Sequence, residues 1–269
     1  LVAGVESMSR VPIGSAAAGA APYGSRVAAR FAGGLVPQGI FEERIAARWD
    51  LARADLDAWA VRSHHLAADA AARGALVDEL LPVAIDRGGD GDGADDGPLT
   101  ADEGVRPSTT ADALAQLQPA FWDPTWQVRF PELRWHVHAG NASQLSDGAA
   151  ALLLTSRARA DARGMTPLAR VASSVAVGAD PILNLTGVIP ATERALARAG
   201  MTLDDVDLFE VNEAFASVVL AWLADVGADP DKVNVRGGAI ANGHPLGASG
   251  AKLTTTLLSA LRETGGAVG

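Results

Sequence analysis

A glycine-rich stretch near the carboxyl end, residues 237–250 (GGAIANGHPLGASG), constrains the fold of this chain more than any other feature. It follows a short strand-like segment at residues 233–235 and precedes a run whose leucines recur at helical spacing. The glycines therefore predict a strand-to-helix turn in which a ligand can approach the main chain. His244 lies in this turn, just before the predicted helix, where the positive end of the helix dipole disfavours a charged imidazole. The sequence thus predicts a neutral histidine base.

Two familiar phosphate-binding loops do not fit this stretch. A P-loop ends in Gly-Lys-Ser/Thr, whereas Lys252 is preceded by alanine and followed by leucine. A dinucleotide-binding fingerprint has the spacing G-x-G-x-x-G, which Gly243, Gly247 and Gly250 do not reproduce. The turn is therefore assigned to neither motif.

Composition excludes several classes of function. The 269 residues carry a formal net charge of −10, which argues against general nucleic-acid binding but permits a local pocket for an anionic ligand. The chain has no cysteine, so disulfides and thiolate metal sites are excluded. No apolar run reaches the roughly 18 residues of a membrane span, and no signal-peptide pattern opens the chain. We therefore expect a cytoplasmic protein without a membrane span.

The order of predicted elements indicates an α/β fold with parallel strands. Length alone suggests one large domain or two medium ones. Strands are predicted at the start of the chain, at 168–177 and at 208–211; helices are predicted at 40–49, 53–73, 190–199 and 214–226. The apolar run 149–154 fits a buried strand or a helix. Residues 16–39 are predicted to be irregular.

Two metal-site hypotheses are weak. His64 and His65 are neighbours on a predicted helix and point in different directions, so they cannot form an i,i+4 metal pair and are expected to be partly exposed. The acidic, glycine-rich segment 86–98 has the composition of a calcium loop, but Ala94 occupies a position where the EF-hand pattern needs Asp or Asn. A solvated loop is the favoured interpretation, and no metal site is predicted.

The chemistry of the chain centres on Asn212 and His244. Each follows a predicted strand, and the carboxyl ends of strands are where open α/β sheets bind ligands. A neutral histidine can take a proton or stabilise an oxyanion, and an asparagine amide can hold a water or an oxyanion, so the pair suits acyl chemistry. A nucleophile is missing, because Ser143, Ser217 and Ser249 lie in no G-x-S-x-G elbow.

These motifs resemble the thiolase family, which includes acetyl-CoA acetyltransferases and 3-ketoacyl-CoA thiolases. The segment 212–216 (NEAFA), followed by 237–250, carries the resemblance. Further family-like segments occur in family order: GVESMSR at 4–10, LVPQGI at 35–40, DEGVR at 102–106 and AGNASQ at 139–144. The resemblance covers nearly the whole chain.

The resemblance implies a layered α-β-α-β-α fold of two similar halves with an inserted loop domain, here incomplete at both ends. Residues 1–6 and 138–164 would be the remnant of the N-terminal half, 7–137 the inserted loop domain, and 165–269 a C-terminal half lacking its last strands. It also implies a homodimer or homotetramer when intact.

The implied reaction is the reversible thiolysis of 3-ketoacyl-CoA, or in reverse a Claisen condensation of acyl-CoAs, in fatty acid metabolism. Coenzyme A would be a substrate, and no cofactor or metal is implied. His244 would activate a nucleophilic cysteine and help to form an oxyanion hole, and Asn212 would hold the water that completes this hole. The residues that would contact the acyl-CoA are Ser143, Ala139, Gly140, Ala214, Phe215 and Gly247.

Both family cysteines are absent from the chain. The resemblance places the nucleophile before Leu1 and the second cysteine, in a C-x-G loop, after Gly269. We therefore expect an internal fragment of a thiolase, inactive and poorly soluble by itself because sheet edges and apolar faces would be exposed. Two alternatives are a thiolase-like protein that binds acyl-CoA without turnover and a remnant that does neither. Ile13, Asn184 and Val188 depart from common family residues and leave the acyl preference open.

Overall fold

The computed structural model describes residues 1–17, 19–20, 23–31, 33–84 and 97–269. Its strands are β1 (Val2–Ser7) and β2 (Asp147–Leu152). The α-helices are α1 (Ser25–Arg30), α2 (Gln38–Arg48), α3 (Arg53–Ala72), α4 (Ala111–Ala115), α5 (Pro124–Arg129), α6 (Arg157–Ala162), α7 (Val188–Ala199), α8 (Ala216–Val226), α9 (Ala239–Asn242) and α10 (Ser249–Thr264). Short 3₁₀ turns occur at Ser15–Ala17, Asn184–Gly187, Leu203–Asp205 and Pro230–Lys232.

The two strands form an antiparallel pair whose register runs from Val2 opposite Leu152 to Ser7 opposite Asp147. The predicted strand at the start of the chain is confirmed, and residues 149–152 of the ambiguous run 149–154 belong to β2. Gly4 lies so close to the main chain of Gly247 that a Cβ atom at this position would collide with the Gly247 carbonyl. This close approach fixes the strand pair against the turn that carries His244.

The main core lies between α3 and the helices packed on it. Leu56, Trp59 and Ala60 of α3 are buried in one apolar cluster with Val219 and Trp222 of α8. The predicted apolar face of α3 is thus confirmed. The α2 helix also packs against α8, so the helical layer supports the segment immediately before α8.

The predicted helices are confirmed with small shifts at their ends. The α3 and α7 helices end at Gly74 and Gly200, which have positive φ values of 73° and 69°, as expected for glycines that close helices. One helix was missed: α1 lies inside the glycine- and alanine-rich region that was predicted to be irregular.

The strand predicted at 168–177 is wrong. The segment has no regular structure, and Leu168 and Val171 are 68% and 65% exposed. A strand needs a neighbouring strand to which its main chain can bond, and this segment pairs with none in the described part of the chain. The alternating valines are therefore not sufficient to predict a strand in this segment.

The parallel sheet predicted around 208–211 and 233–235 is reduced to single bridges between Phe209 and Val233 and between Val235 and Gly237. Asn234, at φ 48°, explains why pairing stops. Its side chain accepts a hydrogen bond from the Val211 N–H and donates one to the Val211 carbonyl, each at 2.8 Å. A side chain thus takes the place of the next main-chain partner.

The histidine pair on α3 makes separate contacts. The His64 ring is buried, not partly exposed as expected, and its Nδ1 accepts a hydrogen bond from the Arg106 N–H at 3.2 Å. His65 Nε2 lies 3.0 Å from the Thr109 carbonyl. Among the described residues, no group of three or more His, Cys, Asp or Glu side chains could hold a metal ion. Residues 85–96, most of the acidic loop, lie outside the described residues.

In the described ranges, no helix has both the length and the apolar character that crossing a membrane requires.

Candidate active site

His244 and Asn212 meet in the structure. His244 lies in the turn between α9 and α10, and its Nε2 is 3.2 Å from the side-chain nitrogen of Asn212. Asn212 lies between the bridge at Phe209 and the start of α8. The structure therefore brings together the two residues on which the sequence placed the chemistry.

Hydrogen bonds on the other side of the ring define the tautomer of His244. Nδ1 lies 2.5 Å from the Ser249 hydroxyl, and this hydroxyl donates its proton to the Pro245 carbonyl at 2.9 Å. With that proton directed to the Pro245 carbonyl, the hydroxyl oxygen is placed to accept a hydrogen bond from Nδ1–H. Nε2 of the neutral ring is thus left with a lone pair directed to the side where Asn212 lies, as a general base requires.

The environment favours this neutral ring. Burial lowers the pKa of His244, and the positive charge of Lys252 lowers this pKa further. The predicted neutral imidazole is supported, but the reason differs from the expected one. The α10 helix begins at Ser249, five positions after His244, and the causes of the lowered pKa of His244 are desolvation and a nearby cation.

The turn that carries His244 is fixed by β1 and by the loop before β2. The His244 N–H donates to the Ser146 hydroxyl at 3.0 Å, and the Gly247 N–H donates to the Glu6 carboxylate at 3.0 Å. Gly243 has a φ of 78°, and a Cβ there would collide with the Ser146 hydroxyl. Glycine is therefore required at this position for both its conformation and its lack of a side chain.

Glu213 connects the segments around the site through hydrogen bonds to its buried carboxylate. Its fully buried carboxylate accepts hydrogen bonds from Trp59 and Ser63 of α3, from the Asn234 side chain and from the Ile240 N–H of α9, at 2.7–3.2 Å. Gly238 lies against this carboxylate, and a Cβ there would collide with it. One charged side chain thus links the segments that carry Asn212 and His244.

The loop 139–144 is joined to the segment 212–216. The Ser143 N–H donates to the Ala214 carbonyl at 2.9 Å, and the Ala216 N–H donates to the Asn141 carbonyl at 3.0 Å. Gln144 donates to the carbonyls of Gly104 and Ala241, each at 2.9 Å. The three family-like segments around residues 104, 144 and 241 therefore meet at one side chain.

The predicted substrate-contacting residues differ in accessibility. Ala214 and Phe215 are buried, and the Phe215 ring packs edge to face on Phe121 with centroids 6.2 Å apart. Ser143 and Gly140 are half-buried, whereas Ala139 and Gly247 are exposed. Their contact with acyl-CoA stays a prediction.

A buried His–Asp pair holds the start of this loop. His138 Nε2 lies 2.7 Å from the Asp57 carboxylate of α3, and His138 Nδ1 accepts the Gly140 N–H at 3.0 Å. Asn141 donates to the same carboxylate at 3.0 Å and accepts the His138 N–H at 2.9 Å. Bonding to His138 and Asn141 outweighs burial, so the pKa of Asp57 is lowered.

Sequence analysis missed several of these supporting residues. Glu213 carried a usable signal, because a carboxylate between an apolar segment and an apolar helix needs buried partners. Ser249 was considered only as a nucleophile, whereas it orients the imidazole. Asp57 and His138 are 81 positions apart, and no local pattern connects them.

Comparison with known proteins identifies one family. The family profile described as thiolase, N-terminal domain, matches residues 1–158, and the profile described as thiolase, C-terminal domain, matches residues 165–269. The chain is 40% identical over 276 residues to a 3-ketoacyl-CoA thiolase of Marinobacter nauticus, covering 100% of this chain and 65% of the relative. It is 42% identical over 270 residues to an acetyl-CoA acetyltransferase of Shinella zoogloeoides, covering 97% of this chain and 65% of that relative.

A solved structure is also similar. Human mitochondrial 3-ketoacyl-CoA thiolase superposes with a TM-score of 0.81 at 33% identity, covering 98% of this chain and 65% of that one. The two matching profiles and this superposition define an α/β protein with the thiolase fold. The chain belongs to the thiolase family and spans 65% of the length of these relatives.

Proposed function

We propose that these residues form the base and oxyanion side of a thiolase active site. The complete protein would catalyse the reversible thiolysis of 3-ketoacyl-CoA, or the Claisen condensation of acyl-CoAs. One observation carries this proposal: His244 Nε2 and the Asn212 amide lie 3.2 Å apart within the two segments that most resemble the family. The relatives' names, 3-ketoacyl-CoA thiolase and acetyl-CoA acetyltransferase, support the same reaction class.

The hydrogen bonds of the site support the following proposed roles. His244 Nε2 would accept the proton of a cysteine thiol, because the ring is neutral and its proton is on Nδ1. The imidazolium so formed and a water held by Asn212 would stabilise the oxyanion of the thioester. Ser143, Ala139, Gly140, Ala214, Phe215 and Gly247 would contact the pantetheine and the thioester, with coenzyme A as substrate and without a further cofactor.

The nucleophile and the second proton carrier are not among the 269 residues, which contain no cysteine. The 269-residue polypeptide alone should therefore not cleave acetoacetyl-CoA. We also propose the division given above into residues 1–6 with 138–164, 7–137 and 165–269. A cytoplasmic location and a homodimer or homotetramer remain predictions, the latter testable by light scattering.

The proposal is tested on the complete reading frame. We expect a cysteine before residue 1, a C-x-G motif after residue 269, and thiolysis of acetoacetyl-CoA that falls at least about 100-fold in H244A. H65A is the matched control, because His65 lies on α3 outside the site and its ring bonds the Thr109 carbonyl. Other residues at both cysteine positions, with coenzyme A binding retained, would favour the non-catalytic acyl-CoA-binding alternative and overturn the proposal.

A further inference from the structure

Lys252 lies at a position where a charged ammonium group is energetically unfavourable. It lies in the first turn of α10, the positive end of the helix dipole, and burial lowers the pKa of its ammonium group. It is one of two lysines in a chain whose basic residues are otherwise arginines. Such an unfavourable position implies that specific partners compensate it.

Those partners are the last carbonyls before His244. The Lys252 ammonium donates to the Asn242 carbonyl at 3.0 Å and to the Gly243 carbonyl at 3.3 Å. Asn242 is the last residue of α9, and carbonyls at a helix end have no partner within the helix. Lys252 therefore closes α9 and ties the start of α10 back across the turn that carries the imidazole.

Carboxylates surround the ammonium group from other elements. Asp102, Glu210, Glu213 and Glu79 all face Lys252 and raise its pKa against the effect of burial. Glu210 lines a small cavity with Asn212, Ser249 and Lys252, and burial raises its own pKa to about 8. Glu210 is thus largely uncharged at neutral pH, so Lys252 retains net positive influence on the imidazole.

We propose that Lys252 is a positioning residue for His244: its ammonium holds the Asn242–Gly243 turn from which the imidazole projects. The same ammonium charge disfavours protonation of the imidazole. The importance of this for catalysis rests on the proposed function. Lys252 does not touch the reacting atoms, and a compact ammonium with three donors serves two adjacent carbonyls while adding a point charge.

Two effects of Lys252 are separable by substitution. K252M removes both the charge and the donors, K252Q removes the charge but keeps an amide donor, and K252R keeps both. K232M is the matched control, because Lys232 bonds the Val206 carbonyl at 2.9 Å, outside the His244 turn.

The readout is the pKa of His244 from ¹⁵N–¹H NMR titration of the complete protein, with H244Q identifying the signal of this histidine. We expect K252M and K252Q to raise this pKa by roughly one unit, the effect of removing one nearby charge. K252R and K232M should shift it by less than half as much. Amide hydrogen exchange at Gly243 and His244 should accelerate about tenfold or more in K252M, but less in K252Q and K252R.

An unchanged His244 pKa in both neutral variants would overturn the proposal, as would an equal shift in K252R. If K252M does not fold, the pKa of His244 in K252Q shows the effect of removing the charge. The titration uses no substrate, so its result is independent of the proposed reaction. Thiolysis by the complete protein that does not depend on His244 would refute the proposed function and leave the role of Lys252 in the turn intact.

Discussion

The Nε2 atom of His244 lies 3.2 Å from the side-chain nitrogen of Asn212, across 32 residues of sequence. This contact joins the segment before α8 to the turn before α10. Its geometry depends on groups behind both residues: Ser249 on the other ring nitrogen of His244, and Glu213 beneath the segment that carries Asn212.

Loss of the Ser249 hydroxyl should release the tautomer of His244. In S249A, Nδ1–H loses its acceptor, so we expect a mixture of neutral tautomers in ¹⁵N NMR spectra and a free energy of unfolding lower by about 1 kcal/mol. T254A is the matched control, because Thr254 bonds the Gly250 carbonyl at 2.8 Å on the same helix but on an exposed face. A single Nδ1–H tautomer retained in S249A would contradict the assignment.

Neutralising Glu213 should destabilise the fold. All of its partners are donors, so the amide nitrogen of E213Q would face donors instead of acceptors. We expect a loss of about 3 kcal/mol in urea unfolding. E193Q, on the exposed face of α7, should leave stability unchanged. Equal midpoints for the two variants would show that Glu213 does not link these segments.

The buried His138–Asp57 pair should contribute more to the free energy of unfolding than an exposed carboxylate on the same helix. D57N weakens bonds to His138 and Asn141 that hold the loop containing Gly140, and should cost about 3 kcal/mol. Asp69, whose side chain is 71% exposed beside Arg73, provides the control D69N. Hydrogen exchange of the Gly140 amide should accelerate in D57N only; protection retained there would reject the role given to the pair.

Glu42 should make stability fall as pH rises. Burial raises its pKa from the ordinary value of 4.5 to about 8, so the folded state binds a proton that the unfolded state has released in this window. The stabilisation is complete below pH 4.5 and is lost toward pH 8, by up to about 1.4 kcal/mol per pH unit.

E42Q should remove this slope while retaining the bond from the Ser217 hydroxyl, which lies 2.6 Å from Glu42. The test is the free energy of unfolding between pH 5 and 9 for wild type, E42Q and the exposed control E193Q. Curves for wild type and E42Q that stay parallel would mean that Glu42 is already charged in the folded protein.

Most of the helical structure could be predicted from the sequence, because apolar spacing and closing glycines are local signals. The α3 helix illustrates this: the helical spacing of its apolar residues predicts its buried face, and Gly74 predicts its end. Strands were less predictable, since pairing is decided by partners elsewhere. Residues 168–177 have alternating valines but pair with no strand among the described residues, and the Asn234 side chain interrupts a pairing that the sequence favours.

In the candidate site, too, residues in compact local motifs could be predicted, whereas residues that act through distant contacts could not. The glycine-rich turn and the NEAF segment identified His244 and Asn212, because these motifs are compact. The groups that orient them came from distant segments: Ser146 before β2, Glu6 in β1 and Asp57 in α3. Their bonds depend on tertiary packing, which no local pattern encodes.

The central claim is that Asn212 and His244 act as one unit, and a double-mutant cycle on the complete protein tests it most directly. The measurement is kcat for thiolysis of acetoacetyl-CoA in wild type, H244A, N212A and the double variant. If the two residues share one oxyanion site, each single change should cost about 100-fold or more, and the double variant should be little slower than the slower single variant. Losses that multiply in the double variant would show independent roles and contradict the account.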